Sequence, residues 1–444
     1  MKKSLSIILT VIMVLGLISG CGNGGQSQEN NGNTSGEGTE TTTNSTQAEA
    51  SDKEAEENQV LKIYQFKVEM AEQFLALADE YEKEHPGVTV EVETVGGGAD
   101  YLTVLKSKFA SGDYPDIFNN YGDNELEVWI DQLEDLSDQP WIDRLVPGTA
   151  EAMTKDGKVY GMPFNLEGYG YIYNKDIFEE AGIDTLPTTL EEFEDVCEKL
   201  EAIDVIPFST GYQEWWVLAN HNFNSMLANQ ENPKAFVEGL KEGTVSLKDN
   251  AVANNWVDLL DLTVKYGQDN PLLVDYNTQV TDFAIGKAAM IQQGNWIQNQ
   301  LSEITPDMNV GILPMPVGEG KNDSIYVGVP NNWVVYKDSK VKELAKDFLN
   351  WMVSSEVGKQ YQVEEFKFIP AFGDIETNEE AIGGIASAVT EYTQSGDVLG
   401  WYWAGLPSGY QQEVSGFMQE YISGGISRDQ LFENIQKTIT SLNE

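Results

Sequence analysis

Residues 88–118 read VTVEVETVGGGADYLTVLKSKFASGDYPDIF, and this stretch decides the fold class. Apolar residues alternate over 88–92, which predicts a strand. The glycine turn that follows leads into apolar residues at helical spacing over 101–110, and 115–118 predicts another short strand. Strands that alternate with helices are typical of a largely parallel sheet with helices on its faces. The stretch therefore predicts an α/β protein.

The same alternation extends on both sides of this stretch. Before it, residues 61–66 predict a strand, and apolar residues recur at helical spacing from Met70 to Tyr81. We find no internal repeat, which excludes a solenoid or a propeller. The chain beyond residue 58 is long enough for two domains of ordinary size. After the stretch we predict helices at 188–200, 254–266, 341–352 and 430–442, and strands at 288–291, 310–313 and 327–336.

The first 58 residues differ from the rest in composition. Two lysines, an apolar run over 5–18 and two small residues precede Cys21, a pattern typical of a secretory signal at 1–20. The last residues of this signal resemble the bacterial lipobox, so we expect Cys21 to be lipidated. Residues 22–58 hold no aromatic residue and almost nothing apolar, which makes 21–58 a lipid-anchored, disordered tether with a reach of roughly 35 Å. We therefore predict a protein held at the outer face of the cytoplasmic membrane.

The charged and reactive residues narrow the possible functions. The net charge of −45 repels nucleic acid, so no nucleic-acid partner is expected. The chain has two arginines and two histidines, too few for phosphate clamps, histidine-ligated metal sites or histidine acid–base machinery. We therefore expect no metal and no cofactor. Cys197 is the one other cysteine and has no disulfide partner once Cys21 is acylated.

Five segments, in this order along the chain, resemble family 1 extracellular solute-binding proteins, the family of the maltose-binding protein. They are FASGDYPDI at 109–117, DGKVYGMP at 156–163, YNKDIF at 173–178, FAIGKAAM at 283–290 with GNW at 294–296, and AKDFL at 345–349 with FIPA at 368–371.

This resemblance implies a type II periplasmic-binding-protein fold of the α/β class, with two discontinuous lobes, a hinge and a central ligand cleft. By analogy the first lobe takes 59–165 plus 330–370, and the second takes 170–326 plus 374–444. The hinge crossings are then 163–171, 326–330 and 370–374. We interpret Gly168 and Gly170 as conformationally permissive hinge residues beside the rigid Pro163.

The resemblance also implies the function. Family members capture a carbohydrate and deliver it to the permease of an ATP-driven (ABC) importer, and they perform no chemistry on it. The chain is accordingly expected to be a monomer and not an enzyme. Ten tryptophans and nineteen tyrosines suit such a ligand, because aromatic faces stack on the C–H faces of sugars.

Candidate ligand contacts follow from the rule that open α/β sheets bind ligands outside the carboxyl ends of their strands. This rule selects Phe66, Glu69 and Asn120. Trp296 and Asp123 also match positions that the family uses for sugar, and Glu167 lies where relatives place a polar cleft group. The remaining candidates are an aromatic and acidic cluster and further aromatic residues, of which Tyr410 matches a cleft aromatic of the family: Glu214, Trp215, Trp333, Trp401, Trp403 and Tyr410. The alternative is core burial for the aromatic residues, ordinary turn chemistry for Asn120 and Asp123, and an ordinary solvated carboxylate for Glu167.

Two other functions remain open from the sequence. The same fold could bind a polyamine or another small solute, because aromatic boxes also bind cations. A secreted glycoside hydrolase would share the acidic, aromatic-rich composition, but it needs two carboxylates placed across a sugar, and no motif isolates such a pair.

Overall fold

The computed structural model describes residues 58–318, 320 and 322–444. The predicted signal peptide, Cys21 and the tether up to residue 57 lie outside the described residues. The described strands are β1 (Gln59–Gln65), β2 (Val88–Thr94), β3 (Ile117–Asn120), β4 (Thr154–Lys155), β5 (Lys158–Val159), β6 (Met162–Asn174), β7 (Ile206–Ser209), β8 (Ala288–Gly294), β9 (Val310–Leu313), β10 (Ile325–Val335), β11 (Ile369–Pro370) and β12 (Val398–Leu399).

The described α-helices are α1 (Ala71–Glu84), α2 (Tyr101–Ser111), α3 (Asn124–Trp129), α4 (Lys175–Glu180), α5 (Leu190–Glu201), α6 (Phe223–Ala228), α7 (Pro233–Lys241), α8 (Ala251–Lys265), α9 (Tyr276–Ala284), α10 (Gln298–Ile304), α11 (Lys342–Ser354), α12 (Glu356–Gln360), α13 (Glu379–Ser395), α14 (Tyr410–Ile422) and α15 (Arg428–Leu442). A π-helical turn, Val217–Asn222, precedes α6. Among the described residues, no helix combines the length and the apolar character that a membrane span requires.

Local sequence signals set several of the helix ends. Thr189 caps α5 by accepting from the backbone N–H of Glu192, whose carboxylate reaches back to the cap, and Ser427 with Gln430 repeats this reciprocal arrangement at α15. Asp100 likewise caps α2 through the N–H of Thr103. These caps place the helix starts within a few residues of the predicted positions.

One sheet runs through the molecule in the order β2-β1-β3-β10-β6-β8-β7, and β9, β11 and β12 pair with its central strands. The first lobe is built on β1, β2 and β3, which pair in parallel, and the second lobe on β7, β8 and β9. The prediction of a largely parallel sheet is wrong for the centre, where β10 runs antiparallel to both β3 and β6. The reason is that β6 carries the chain into the second lobe and β10 brings it back, so the two must run in opposite directions.

Each lobe has its own core. In the first lobe, side chains alternate between the two faces of the sheet, so Ile63 packs in one hydrophobic cluster and Tyr64 in another. In the second lobe, one large cluster surrounds Trp256 of α8 and includes side chains of α14 and α15. Cys197 is buried in this cluster as a free thiol.

Buried amides connect the strands that cross between the lobes. Asn119 of β3 donates to the side chain of Asn331 (2.8 Å), and Asn331 donates to Asn165 of β6 (2.9 Å). Asn165 in turn donates to the Glu167 carboxylate at 3.1 Å. This chain of hydrogen bonds leads from the first-lobe sheet to a carboxylate at the cleft.

The glycines of β6 allow close packing. A Cβ on Gly168 would overlap the Val389 side chain of α13, and one on Gly170 would overlap the Leu313 carbonyl of β9. Neither glycine has a positive φ. Glycine therefore stands at these positions because neighbouring chains approach too closely for a side chain.

Candidate functional site

A concave pocket lies between the lobes. It is lined from the first lobe by the end of β1, the loop after β2 and Tyr121, and from the second lobe mainly by aromatic side chains. The lining residues are Phe66, Lys67, Val68, Glu69, Gly96, Gly97, Ala99, Tyr101, Tyr121, Glu167, Trp215, Trp216, Asn220, His221, Tyr276, Trp296, Pro330, Trp401 and Trp403.

A buried ion cluster forms one side of the pocket. The Lys67 side chain follows β1, is 5% exposed, and forms ion pairs with Glu167 of β6 and with Glu69, the latter at 3.1 Å. Its ammonium also lies 5.5 Å from the Phe66 ring and 5.7 Å from the Trp296 ring. Burial alone would lower the pKa of Lys67, but the carboxylates of Glu167 and Glu69 raise it above its ordinary value. Lys67 is therefore a cation whose charge is already matched by carboxylates.

Glu167 is held by the same cluster. Burial raises the pKa of its carboxyl group above the ordinary value, while the Lys67 ammonium and the hydrogen bonds from Lys67 and Asn165 act in the opposite direction. The side chain is thus fixed from two sides, by the amide of Asn165 and the ammonium of Lys67.

Aromatic rings form the second-lobe wall. Trp296 follows β8, and its indole N–H donates to Gln293 at 2.7 Å. Its ring centroid lies 4.8 Å from that of His221 and 6.3 Å from that of Trp401, which stands perpendicular to it. His221 stacks on Tyr169 at 4.5 Å. Burial, together with the Lys67 charge, lowers the pKa of His221 to about 3, so this imidazole is neutral at physiological pH.

Several buried polar atoms at the pocket have no hydrogen-bond partner among the described residues. They belong to pocket-lining side chains and to Glu214 beside them: Glu214 Oε2, Trp215 Nε1, His221 Nδ1, the Tyr276 hydroxyl, Trp401 Nε1 and Trp403 Nε1. A buried polar group left without a partner costs roughly 1–3 kcal/mol. The pocket therefore offers flat apolar rings with unmatched polar groups at their edges.

Most of the residues selected from the sequence lie at this pocket. The ones that line it are Phe66, Glu69, Glu167, Trp215, Trp296, Trp401 and Trp403. Glu214 lies just behind the lining, where its Oε1 accepts from the backbone N–H of Tyr276 at 3.0 Å.

Four of the selected residues lie elsewhere. Trp333 is fully buried in the first-lobe core, where it stacks on Phe74 at 5.2 Å, because β10 turns this side chain away from the cleft. The buried Tyr410 hydroxyl donates to groups of the π-helical turn, at 3.0 Å to the Asn220 side chain. Asn120 caps a turn by accepting from the N–H of Gly122 at 2.7 Å, and Asp123 is exposed at the start of α3.

Other lining residues were not selected from the sequence. Lys67 and Tyr121 each follow a first-lobe strand, so the strand-end rule could have found them. No local signal marks His221 or Tyr276. His221 lies in the π-helical turn and Tyr276 begins α9, and folding brings both to the pocket from distant parts of the chain.

Comparison with known proteins agrees with this architecture. The family described as "Bacterial extracellular solute-binding protein" matches residues 67–359. The "Multiple sugar-binding protein" of Streptococcus mutans is 25% identical over 316 residues, which cover 69% of this chain and 74% of that protein. The "Melibiose/raffinose/stachyose-binding protein MelE" of Bacillus subtilis is 26% identical over 300 residues, 65% of this chain and 68% of that protein.

Solved structures share the fold over nearly the whole described chain. The solute-binding protein RafE in complex with raffinose superposes with a TM-score of 0.75 at 23% identity, covering 87% of this chain and 100% of that one. A Bacillus licheniformis sugar transporter protein in complex with stachyose gives 0.73 at 22% identity, with 86% and 100% coverage. Since the family match spans well over half of the sequence and the two-lobed fold is shared, this chain belongs to the bacterial extracellular solute-binding proteins.

Proposed function

We propose that the pocket captures a sugar or an oligosaccharide and that the protein delivers it to the membrane permease of an ABC importer. The observation that carries this proposal is the pocket itself, in which aromatic rings alternate with unmatched donors and acceptors. A saccharide has the same alternation, because its C–H faces are apolar and its edges carry hydroxyls. The names of the similar proteins, which refer to raffinose, stachyose and other sugars, support the same ligand class.

Capture depends on both lobes. In this structure the Tyr121 ring of the first lobe lies 5.4 Å from the Trp403 ring of the second. Closing the lobes buries the unmatched polar groups, which is unfavourable until a ligand provides their partners. Binding of a saccharide therefore shifts the equilibrium towards the closed form, since a ligand favours the state that it contacts best.

The hydrolase alternative fits the pocket less well than a binding site does. A glycoside hydrolase needs two carboxylates that flank the scissile bond, whereas Glu69 and Glu167 both bind Lys67, which occupies the space between them. A binding role without catalysis is therefore the better proposal.

The signal, the lipidated Cys21 and the tether complete this proposal, with a monomer held at the outer face of the cytoplasmic membrane. If this is right, Cys21→Ser should release the protein from the membrane fraction into the culture medium and leave its ligand binding unchanged. A variant that stays with the membrane would contradict the anchor.

The experiment that tests the ligand class is a thermal-shift screen with mono- and oligosaccharides, polyamines and short peptides. A ligand that binds only the folded state raises the melting temperature. A saccharide that raises it and is recovered uncleaved would support the proposal. A polyamine or peptide as the one effective ligand, or cleavage of the sugar, would overturn it.

Trp296 variants connect such a hit to the pocket. Trp296→Ala should abolish binding, and Trp296→Phe, which keeps an aromatic ring, should retain part of it with a folded second lobe. Tyr114→Ala is the control, because this partly exposed aromatic lies outside the pocket. Normal affinity of a folded Trp296→Ala protein, measured by calorimetry, would refute the site assignment.

A further inference from the structure

The loop that follows β12 brings two tryptophans to the pocket. Trp401 and Trp403 both line it, and their ring centroids lie 6.1 Å apart. Trp403 also contacts the first lobe through the Tyr121 ring. The loop therefore supplies two rings of the aromatic wall, and the positions of these rings depend on the conformation of its main chain.

This loop contains a short 3₁₀ turn, Tyr402–Gly405. The first N–H groups of such a turn have no carbonyl partner inside it. Trp401 precedes the turn, and its indole can donate a hydrogen bond but cannot accept one, so it cannot cap the turn. A cap for these N–H groups has to come from another part of the chain.

Asn224 of α6 supplies this cap. Its side-chain oxygen accepts from the backbone N–H groups of Tyr402 at 2.7 Å and Trp403 at 3.2 Å. Its amide N–H₂ donates to the carbonyl of Gly400 at 3.1 Å. Asn224 is fully buried, so water does not compete for these hydrogen bonds. One side chain thus fixes the main chain on both sides of Trp401.

The Trp401 ring is also held by the strand beneath it. A Cβ on Gly328 of β10 would lie 2.6 Å from Trp401 Cγ, so the indole rests directly on the main chain of this strand. β12 ends two residues before Trp401 and pairs with β10 at Ile325 and Tyr326. The strand therefore fixes where the loop begins, and Asn224 fixes its course beyond that point.

We propose that Asn224 is a positioning residue for saccharide binding, although it does not itself line the pocket. By capping the turn it holds Trp401 and Trp403 where their rings can stack on the sugar. Without the cap the loop loses its hydrogen bonds to α6, and the two rings leave the orientations that suit a sugar face. This inference rests on the proposed saccharide-binding function.

The test compares Asn224→Ala with Asn250→Ala in proteins that are otherwise unchanged. Asn250 is the matched control, because its side-chain amide also makes three hydrogen bonds, two with Gln230 and one from the backbone N–H of Ala253. It lies outside the pocket, at the start of α8. Both variants should lower the melting temperature, so a difference in ligand binding between them does not come from lost stability alone.

Asn224→Asp is a second variant at the same position. It keeps an oxygen that can accept from the N–H groups of Tyr402 and Trp403, and it replaces the N–H₂ group that donates to Gly400. The cap is thereby retained, so this variant should fall between the unmodified protein and Asn224→Ala.

Ring positions are measured first, without ligand, by fluorine NMR of proteins labelled with fluorinated tryptophan. In Asn224→Ala the signals of Trp401 and Trp403 should shift or broaden, while that of Trp256 in the second-lobe core should stay in place. In Asn250→Ala the signals of Trp401 and Trp403 should stay. Unchanged signals of these two residues in Asn224→Ala, or an equal shift of Trp256, would overturn the inference whatever the ligand proves to be.

Affinities are then measured by calorimetry for raffinose, stachyose and neutral gluco- and xylo-oligosaccharides. Asn224→Ala should bind a saccharide about fivefold or more weakly than the unmodified protein does, because misplaced rings lose their stacking on the sugar. Asn250→Ala should keep the affinity. Equal affinity of Asn224→Ala and the unmodified protein, or an equal loss in Asn250→Ala, would overturn the inference while the proposed function stands. Absence of binding by every saccharide would instead overturn the proposed function, and with it the role of Asn224, whatever the fluorine signals show.

Discussion

The buried Lys67 ammonium is the centre of the charged cluster on one side of the pocket. It interacts with two carboxylates, Glu167 of β6 and Glu69, and with the aromatic rings of Phe66 and Trp296. Buried ion pairs are not strong stabilisers by themselves, but removal of one partner leaves an uncompensated charge in a low-dielectric site. The cluster should therefore be sensitive to loss of the lysine.

Lys67→Met should lower the free energy of unfolding by about 3–5 kcal/mol, because the buried Glu167 and the half-buried Glu69 then lack a cation. Adding Glu167→Gln should restore part of this loss. Lys62→Met is the control, since Lys62 forms an exposed pair with Asp113, and exposed pairs contribute little. Urea denaturation of the four proteins measures these changes, and similar losses for Lys67→Met and Lys62→Met would contradict the role of burial.

His221 should make the stability depend on pH. The pKa of His221 is about 3 in the folded protein, against an ordinary value of 6.5. Between pH 3 and pH 6.5 the unfolded protein therefore binds a proton at His221 that the folded protein does not bind. The stabilisation is complete above pH 6.5 and is lost as the pH falls towards 3. At pH 4.5 the loss should amount to roughly 2–3 kcal/mol, and His221→Gln should remove this part of the pH dependence. Parallel pH profiles of unfolding for both proteins would show that His221 does not contribute.

At the scale of the elements, β6 connects the lobes and is packed on both sides. Its glycines allow α13 and β9 to approach the strand directly, and its hydrogen bonds with β10 continue from the first lobe towards the second. The space beside these glycines is filled, so a larger side chain at either position would overlap its neighbours.

Gly168→Ala should destabilise the protein by about 1–3 kcal/mol, because the new methyl group overlaps Val389 in a filled core. Gly416→Ala makes the same change on the exposed face of α14, where a Cβ meets open space. There it should stabilise by about 0.5–1 kcal/mol through the higher helix propensity of alanine. Denaturant midpoints test both signs, and a neutral or stabilising Gly168→Ala would contradict the packing argument.

At the scale of the whole molecule, a hydrogen-bonded bridge holds the lobes together beside the pocket. Ser408 precedes α14 of the second lobe, and its hydroxyl accepts from the Lys106 ammonium of α2 at 2.8 Å. The same hydroxyl donates to the buried Glu125 carboxylate of α3, also at 2.8 Å. Both partners belong to the first lobe, so the bridge exists only while the cleft is closed.

Ser408→Ala should shift the protein towards the open form and weaken ligand binding by up to about 30-fold, since two hydrogen bonds of the closed state are lost at roughly 1 kcal/mol each. The radius of gyration of the ligand-free protein, measured by X-ray scattering, should rise. Ser111→Ala, which removes an exposed hydroxyl bonded within its own helix, should change neither quantity. Unaltered affinity of Ser408→Ala would exclude the bridge as a stabiliser of closure.

Much of the architecture follows from local patterns in the sequence. Alternating and helical periodicities predicted β9 at Val310–Leu313 and the helices α2, α5, α8 and α15 with ends within a few residues, because these patterns depend on neighbouring residues and caps. The motifs from 109 to 371 predicted the two-lobed fold and the family. The strand-end rule selected Trp296, Phe66 and Glu69, which all line the pocket, because strand ends meet at one edge of a sheet whatever lies between them in the chain. Glu167, selected from the family resemblance, lines the same pocket.

The features that join distant parts of the chain could be seen only in the tertiary structure. Which surfaces meet after folding decides the direction of β10 and the close packing at Gly168. It also decides that Trp333 lies in the core and Trp401 at the pocket. A tryptophan has the same local signature in either place. The pairing of Lys67 with Glu167, a hundred residues away, and the arrival of His221 beside Trp296 likewise have no local signal, because long-range packing alone brings these side chains into contact.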